Sequence, residues 1–201
     1  AECFSLTQEE RKKVLELAVK VADGKQVVAH VGAIGTGIAC DLAAHAKKAG
    51  ADAIASVPPF YHGFQPGEIK GYYTAIADAS DLPVIIYNVP GTTGVGLSLA
   101  QFKDILSDDR VVAVKYTDVN YYTLDRIKKH TGAFIYSGAD ECFAYARELG
   151  VWDRIDYTER VPQSQVHELY DRANLFVLPT RYEIFGMVLL EALYFGLPVL
   201  T

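Results

Sequence analysis

The stretch L-P-V-I-I-Y-N-V-P-G-T-T-G at positions 82–94 is followed by an amphipathic segment and then by R-V-V-A-V-K-Y-T-D at positions 110–118. Each stretch holds an apolar run of strand length that closes on one polar side chain, Tyr87 in the first and Lys115 in the second. Burying an ammonium group is costly unless the charge is paired or neutralised. Desolvation lowers the pKa of a lysine, and a neutral amine can attack a carbonyl to form a Schiff base. The alternative is a lysine whose stem packs on the sheet while its head reaches water.

Strand-like runs alternate with amphipathic segments along the chain, which predicts βα units and a parallel sheet. The predicted strands are 26–31, 51–57, 82–88, 110–116, 133–137, one of mixed polarity after 150, 174–178 and the apolar end of the chain. The predicted helices are 7–22, 36–48, 66–79, 98–106, 122–130, 140–149, 164–172 and one that carries Glu183 and Glu191. Active residues of such sheets lie at the carboxyl ends of the strands, where Tyr87, Lys115 and Gly138 all stand.

The first predicted helix carries the clearest local signals. Thr7 is placed to cap it, and Glu10 three residues later completes a capping box. The predicted apolar stripe consists of Val14, Leu15, Ala18, Val19 and Ala22.

Composition excludes several classes of protein. The net charge of −6 without a Lys/Arg cluster argues against nucleic acid and anionic membrane surfaces as partners. Cys3, Cys40 and Cys142 are widely spaced, which favours free thiols over a disulfide or a metal site. The five histidines lack metal-ligand spacing, so we expect neither a metal nor another cofactor. No run reaches membrane-spanning length and the polar start is no signal peptide, so we expect a soluble, cytoplasmic protein.

Residues 1–146 resemble the pyruvate-dependent aldolase family that includes N-acetylneuraminate lyase and dihydrodipicolinate synthase. The motifs that carry the resemblance are Y-N-V-P-x-x-T-G and V-K-Y-T, with S-L-T-x-E-E-R, H-V-G at 30–32, G-A-D-A-I at 50–54, P-P-F-Y at 58–61 and S-G-A-D-E at 137–141. The resemblance implies that Lys115 forms the Schiff base with pyruvate. It also implies that Tyr87 relays protons between substrate oxygens.

The same resemblance assigns further residues to a sialic-acid-like substrate. The residues that would hold the hydroxyls of its sugar chain are Thr117, Gly138, Asp140 and Glu141. Tyr61 matches a tyrosine of the supporting proton network. The alternatives are helix N-terminal acids for Asp140 and Glu141, and an aromatic lid on the strand end for Tyr61.

From about residue 146 to 201 the pattern changes. The string V-L-P-T-x-x-E-x-F-G-x-x-x-L-E-A-L-x-x-G-L-P-V resembles the nucleotide-sugar-binding half of GT-B-fold retaining glycosyltransferases. In that family Glu191 would bind the nucleotide ribose and Glu183 would approach the donor sugar. The alternative for both glutamates is an exposed position on a helix.

We therefore interpret the chain as a chimera of two fragments, 1–146 and 147–201, merged into one domain with a junction near 142–147. Ala1-Glu2 stands where the resemblance places the end of the pyruvate-carboxylate loop, and the chain stops on a bare strand, so both ends look cut. The expectation is an engineered chimera with little or no turnover, since a misplacement of ~1 Å can cost about 100-fold in rate. The alternatives are weak lyase activity through Lys115 and nucleotide-sugar binding through the second fragment.

Counting the predicted elements gives eight strands and eight helices. This number favours an α/β fold of eight parallel βα units in a TIM-barrel-like assembly. The alternative is an open, doubly wound, Rossmann-like sheet. An exposed last strand predicts a homodimer.

Overall fold

A computed structural model describes residues 3–139, 162–177 and 187–200. The chain divides into two units, one within residues 3–154 and one within residues 155–201. The predicted helix at 140–149, the predicted strand after 150 and the predicted boundary at 146/147 lie outside the described residues. So do Asp140, Glu141 and Glu183.

Helices and strands alternate through the described part of the chain, as the sequence predicts. The helices are α1 (Gln8–Val21), α2 (Thr36–Ala49), α3 (Pro66–Ser80), α4 (Pro90–Thr93), α5 (Leu99–Ile105), α6 (Tyr121–Thr131), α7 (Val166–Arg172) and α8 (Met187–Tyr194). The strands are β1 (Val28–His30), β2 (Ala53–Ser56), β3 (Val84–Asn88), β4 (Val111–Tyr116), β5 (Phe134–Ser137), β6 (Phe176–Val177) and β7 (Val199–Leu200). Short 3₁₀ turns occupy Cys3–Ser5 and Gln163–Gln165. These turns and α4 are not predicted from the sequence.

The first unit is built on a five-stranded parallel sheet in the order β1-β2-β3-β4-β5. Every strand lies beside the strand that precedes it in the chain. A doubly wound sheet reverses its strand order at a switch point, and this sheet does not. The sequential order is that of an arc of a (βα)8 barrel. The predicted α/β class with a parallel, barrel-like sheet is therefore confirmed. The doubly wound alternative does not describe these five strands.

Alternate residues of the five strands form two faces with different surroundings. The first, called here the helix face, includes Val84, Ile86 and Val114, which are fully buried in one apolar cluster with residues of α2, α3, α5 and α6. The second, called here the lysine face, carries Lys115 and Tyr87, which are register partners. The β3–β4 register shifts between Val84 and Ile85, and after the shift Ile86 pairs with Val114 and Tyr87 with Lys115.

The helices begin and end where the sequence provides caps. The predicted capping box of α1 is present: Glu10 N donates to Thr7 Oγ1 (3.3 Å), and Thr7 N donates to Glu10 Oε2 (2.8 Å). α2 ends at Gly50 with a φ of +90°, a conformation that glycine adopts without strain. The predicted stripe of α1 needs one correction, because Val14 is exposed while Leu15 packs against the core.

The second unit has a small core of its own, formed by Tyr170, Ala192 and Leu197. Its strands β6 and β7 form a two-stranded parallel sheet. The seven strands of the described residues therefore form sheets of five and two, and the eight-stranded assembly stays a prediction. No helix in the described ranges combines the length and the apolar character needed to cross a bilayer.

Candidate active site

Tyr87 and Lys115 lie side by side at the carboxyl ends of two adjacent parallel strands. They are partners in the β3–β4 register, so both side chains project from the lysine face. The Nζ atom of Lys115 lies 3.8 Å from the centroid of the Tyr87 ring, over its face. Both residues are half-buried. The amine that the sequence predicts as nucleophile thus rests on the phenol that the sequence predicts as proton relay.

No ion pair holds the Lys115 amine within the described residues. Its one close partner there is the π-face of Tyr87, a contact that attracts a cation far less than a carboxylate does. A lysine kept for structure at a strand end would normally pair with an acid or extend into water. The half-buried position without an acidic partner instead leaves the nitrogen available for chemistry.

Thr117 and Gly138 meet at the ends of β4 and β5. Thr117 N donates to Asn88 O, and Gly138 N donates to Tyr116 O, each at 2.8 Å, so both strand ends continue the ladder. A Cβ at Gly138 would lie 3.1 Å from the Cβ of Thr117 and much closer to its Oγ1. Only glycine fits there. The hydroxyl of Thr117 is buried and unpaired within the described part of the chain.

Tyr61, predicted as part of the proton network, is placed apart from this group. It lies in the loop after β2 with its side chain 81% exposed. Its ring contacts the ring of His62, with 4.8 Å between centroids. Its φ of +82° is a left-handed conformation that is strained for a tyrosine. The structure therefore brings together Tyr87, Lys115, Thr117 and Gly138, and places Tyr61 on the surface.

Sequence reasoning missed His30 as a residue of this region. His30 ends β1 on the lysine face, and its ring stands at 89° to the ring of Tyr87 with 5.9 Å between centroids. Its Nδ1 lies 3.2 Å from the Sγ of Cys3. Burial, followed by the positive charges of Arg11 and Lys115, lowers the pKa of His30 to about 3. The available signal was the H-V-G segment, noted above only as part of a resemblance.

Arg11 fixes the backbone on which His30 stands. Its guanidinium donates from Nη1 to Gly32 O (3.0 Å) and from Nη2 to His30 O (2.9 Å). Burial lowers the pKa of Arg11, although the Cys3 and Tyr72 side chains nearby act in the opposite direction. The carbonyl of His30, the last residue of β1, and the carbonyl of Gly32 are thereby hydrogen-bonded by a residue of α1.

The opposite face of the same strand ends is also polar. Asn88 and Tyr116 line a cavity of about 320 Å³ together with Asp118 and Asn120. The Tyr116 hydroxyl donates to Asn120 O (3.1 Å), and burial together with the charge of Asp118 raises the pKa of Tyr116. This cavity opens on the helix face, so it is separated from Lys115 by the sheet itself.

The remaining candidate ligand-binding groups are metal-binding clusters and the predicted nucleotide-sugar residues. The described residues contain no cluster of three or more His, Cys, Asp or Glu side chains fit to hold a metal. Glu191 lies on α8 and accepts a hydrogen bond from the Tyr170 hydroxyl at 3.0 Å. Tyr170 in turn stacks on Phe195, with 5.3 Å between ring centroids. Glu191 thus contributes to the small core of the second unit.

The chain is similar to known proteins of one family. Residues 1–174 match the family model described as the Dihydrodipicolinate synthetase family. The chain belongs to this family. The match runs through the junction predicted near 142–147.

Individual relatives agree with the family match. An N-acetylneuraminate lyase from Clostridium perfringens is 34% identical over 185 residues, which are 91% of this chain and 64% of the relative. The CdNal structure from Clostridium difficile, solved in complex with mannosamine, is 36% identical with a TM-score of 0.72, covering 74% of this chain and 52% of that one. A catalytic-lysine mutant of the Ruminococcus gnavus sialic acid aldolase is 35% identical with a TM-score of 0.71, covering 74% of this chain and 50% of that one.

The chain spans 64% of the length of that lyase and about half of each of the two solved chains. None of these relatives is described as a glycosyltransferase. The interpretation of residues 147–201 as a glycosyltransferase fragment therefore stays a prediction from sequence.

Proposed function

We propose that this chain carries a Schiff-base site of the pyruvate-lyase type, with Lys115 as nucleophile and Tyr87 as proton relay. The observation that carries the proposal is the pairing of the two side chains. Nζ of Lys115 rests 3.8 Å above the Tyr87 ring, and it has no acidic partner among the described residues. An unprotonated lysine amine can attack a carbonyl carbon to form a Schiff base.

The chemistry proposed for this pair is imine formation with a 2-oxo acid. The Lys115 nitrogen attacks the ketone carbon, a C–N bond forms and the carbonyl oxygen leaves as water after two proton transfers. A phenol at the next strand end can deliver and recover these protons without a metal. In the lyase direction, Tyr87 would take the proton of the substrate hydroxyl next to the carbon–carbon bond that breaks, and the protonated imine would accept the electron pair of that bond. The products would then be an enamine of pyruvate on Lys115 and a free aldehyde sugar.

We assign the sugar-chain side of a sialic-acid-like substrate to Thr117 and Gly138. The buried hydroxyl of Thr117 lacks a partner, which costs stability unless a ligand completes its hydrogen bond. Gly138 leaves the space into which that hydroxyl projects. Asp140 and Glu141 follow directly in the sequence and are proposed to contact the same substrate hydroxyls. Tyr61, exposed on its loop, fits the lid alternative better than the proton network.

The predicted chimera with little turnover is a separate proposal. It concerns the rate of turnover and not the residues that form the site. It is supported by the GT-B-like string at the end of the chain, and the family match, which ends at residue 174, does not test it. Nucleotide-sugar binding through Glu183 and Glu191 gains no support from the hydrogen bond between Tyr170 and Glu191, which gives Glu191 a role in packing.

The test is reductive trapping of the site with pyruvate and borohydride, read by intact and peptide mass spectrometry. We expect one reduced pyruvate imine per chain, located on Lys115, and its loss in Lys115→Ala. The matched control is Lys103→Ala on α5, an exposed lysine that we expect to leave the adduct unchanged. Adducts scattered over several lysines, or none at all, would overturn the proposal.

A second arm separates the site from its turnover. Release of pyruvate from N-acetylneuraminate is measured for the unmodified chain and for Lys115→Ala. A Lys115 adduct without measurable pyruvate release is the result expected for a chimera that keeps the site but turns over little. Release at an ordinary enzymatic rate would overturn the low-turnover prediction and leave the Schiff-base site in place.

A further inference from the structure

His30 occupies a place that the proposed chemistry does not use. It closes β1 on the lysine face, two strands away from Tyr87. Neighbouring strands lie about 4.8 Å apart, so a side chain on β1 does not ordinarily reach one on β3. Here the two rings meet edge to face, with 5.9 Å between centroids and 89° between planes.

The residue of β2 that pairs with His30 has a small side chain. The register partner of His30 on β2 is Ala55, which is itself paired with Ile85 on β3. An alanine at this position presents only a methyl group beside the imidazole. A branched side chain at position 55 would occupy that space.

Three neighbours hold the ring in this position. Nδ1 lies 3.2 Å from Cys3 Sγ, and the ring of Phe4 stands at 90° to it with 5.8 Å between centroids. Gly32 is the third neighbour and leaves room for the ring, because a Cβ there would approach His30 Cε1 to 2.8 Å and Nε2 to 3.1 Å. The glycine of the H-V-G segment therefore makes room for the histidine that begins it.

Tyr87 consequently has a partner on each side. His30 stands at right angles to its ring, and the Lys115 amine lies over its ring face. The imidazole is neutral, because burial and nearby cations lower the pKa of His30 to about 3. A neutral ring packs against a phenol without competing with Lys115 for the π-face.

We propose that His30 is a positioning residue that holds the Tyr87 phenol against the Lys115 amine, through an aromatic contact made across Ala55. The inference rests on the proposed function for its catalytic consequence, since a positioned proton relay matters only where Lys115 forms an imine. Its structural part, the restraint of Tyr87 by His30, stands independently of that chemistry.

The first experiment observes Tyr87 directly and needs no substrate. The chain is labelled with 3-fluorotyrosine, and the ¹⁹F resonance of Tyr87 is assigned by its loss in Tyr87→Phe. We expect His30→Ala to move that resonance towards the position of free fluorotyrosine, and His30→Phe, which restores an aromatic edge, to leave it near its original position. Ala55→Val, which keeps both rings but separates them, is expected to act like His30→Ala.

The matched control is His45→Ala, which removes another half-buried histidine, one that lies on α2 and is hydrogen-bonded to Glu16. It is expected to leave the Tyr87 resonance in place. The inference is overturned if His30→Ala and His45→Ala move the resonance equally, or if His30→Phe moves it as far as His30→Ala does. Thermal unfolding of each variant verifies that it is folded under the conditions of the measurement.

The second experiment measures the rate of imine trapping at varied pyruvate concentration. We expect His30→Ala to lower the maximal rate about 10- to 100-fold and His30→Phe to restore most of it, because a misplaced proton relay slows the chemical steps. The pyruvate concentration that gives half the maximal rate should change little, since His30 is proposed to act through Tyr87. A change confined to that concentration would overturn the positioning role. A wild-type chain with no adduct, but with the expected ¹⁹F shifts, would refute the proposed function and leave the restraint of Tyr87 standing.

Discussion

The two faces of the five-stranded sheet are built from alternate residues of the same strands, yet they differ in burial and in chemistry. On the helix face Val84, Ile86 and Val114 are fully buried. On the lysine face Val28 remains 49% exposed and Tyr136 47% exposed, and the polar groups of Tyr87 and Lys115 stand at the strand ends. One face is an apolar core, and the other carries the two side chains proposed to be reactive.

The difference shows how a fold and a site can share one sheet. In a strand, a shift of one residue exchanges the two faces, so the packing of the helix face also determines which side chains reach the lysine face. Ile86 and Val114 fix the register through burial, and Tyr87 and Lys115 follow as their chain neighbours. The position of the reactive pair is therefore a consequence of hydrophobic packing.

The largest expected effect comes from removing apolar volume on the helix face. Ile86→Ala should lower the free energy of unfolding by about 2–5 kcal/mol, because it removes buried methylenes and leaves a cavity. Val112→Ala on the adjacent strand, at a side chain that is 44% exposed, is the matched control and should cost well under half as much. Urea denaturation followed by circular dichroism measures both. Equal costs for the two variants would contradict the tight packing of Ile86 on the helix face.

A second prediction uses the neutral histidine of the lysine face. In the unfolded chain a histidine takes up a proton near pH 6.5, whereas His30 in the fold stays neutral down to about pH 3. The unfolded state thus binds the extra proton in this window, and His30 makes stability fall as the pH falls from 6.5 towards 3. The slope from this one group is about 1.4 kcal/mol per pH unit.

His30→Phe should remove that slope. The free energies of unfolding of the variant and the wild type are measured with urea at pH 4.5, 5.5 and 7.5. The stability of the variant relative to the wild type should rise as the pH falls. Among the described residues, the titratable groups near the imidazole are Arg11, Lys115, Cys3 and Tyr87, and the two cations both oppose its protonation. His62→Phe, at an exposed histidine, serves as control. Parallel curves for wild type and His30→Phe would show that the ring is accessible to protons in the folded state.

The sequence was sufficient to predict the strands of the first unit and to place Tyr87 and Lys115 at strand ends. Apolar runs bounded by glycine and proline place each strand of the first unit within about two residues, and Lys115 and Tyr87 stand out because each ends such a run. The contact of His30 with Tyr87 was not predictable in this way. It depends on the ring of His30 on β1 meeting the ring of Tyr87 on β3. The periodicity within one strand does not indicate which residue lies two strands away. The exposure of Tyr61 depends likewise on loop conformation, set by a φ of +82° that residue type alone does not indicate.

The smallest expected effect tests whether the lysine face is open in solution. Val28→Thr replaces a half-exposed methyl by a hydroxyl of the same shape, and a change at an exposed position usually alters stability by no more than about 0.5 kcal/mol. A loss above about 1.5 kcal/mol would mean that this position is covered, because burying an unpaired hydroxyl carries a cost of that size.

Repeating the urea titration at two protein concentrations identifies what covers Val28. A loss that grows with protein concentration indicates the second copy that the homodimer prediction requires, whereas a loss independent of concentration indicates a segment of the same chain. Either result would mean that the lysine face is an interface, and that its burial differs less from the burial of the helix face.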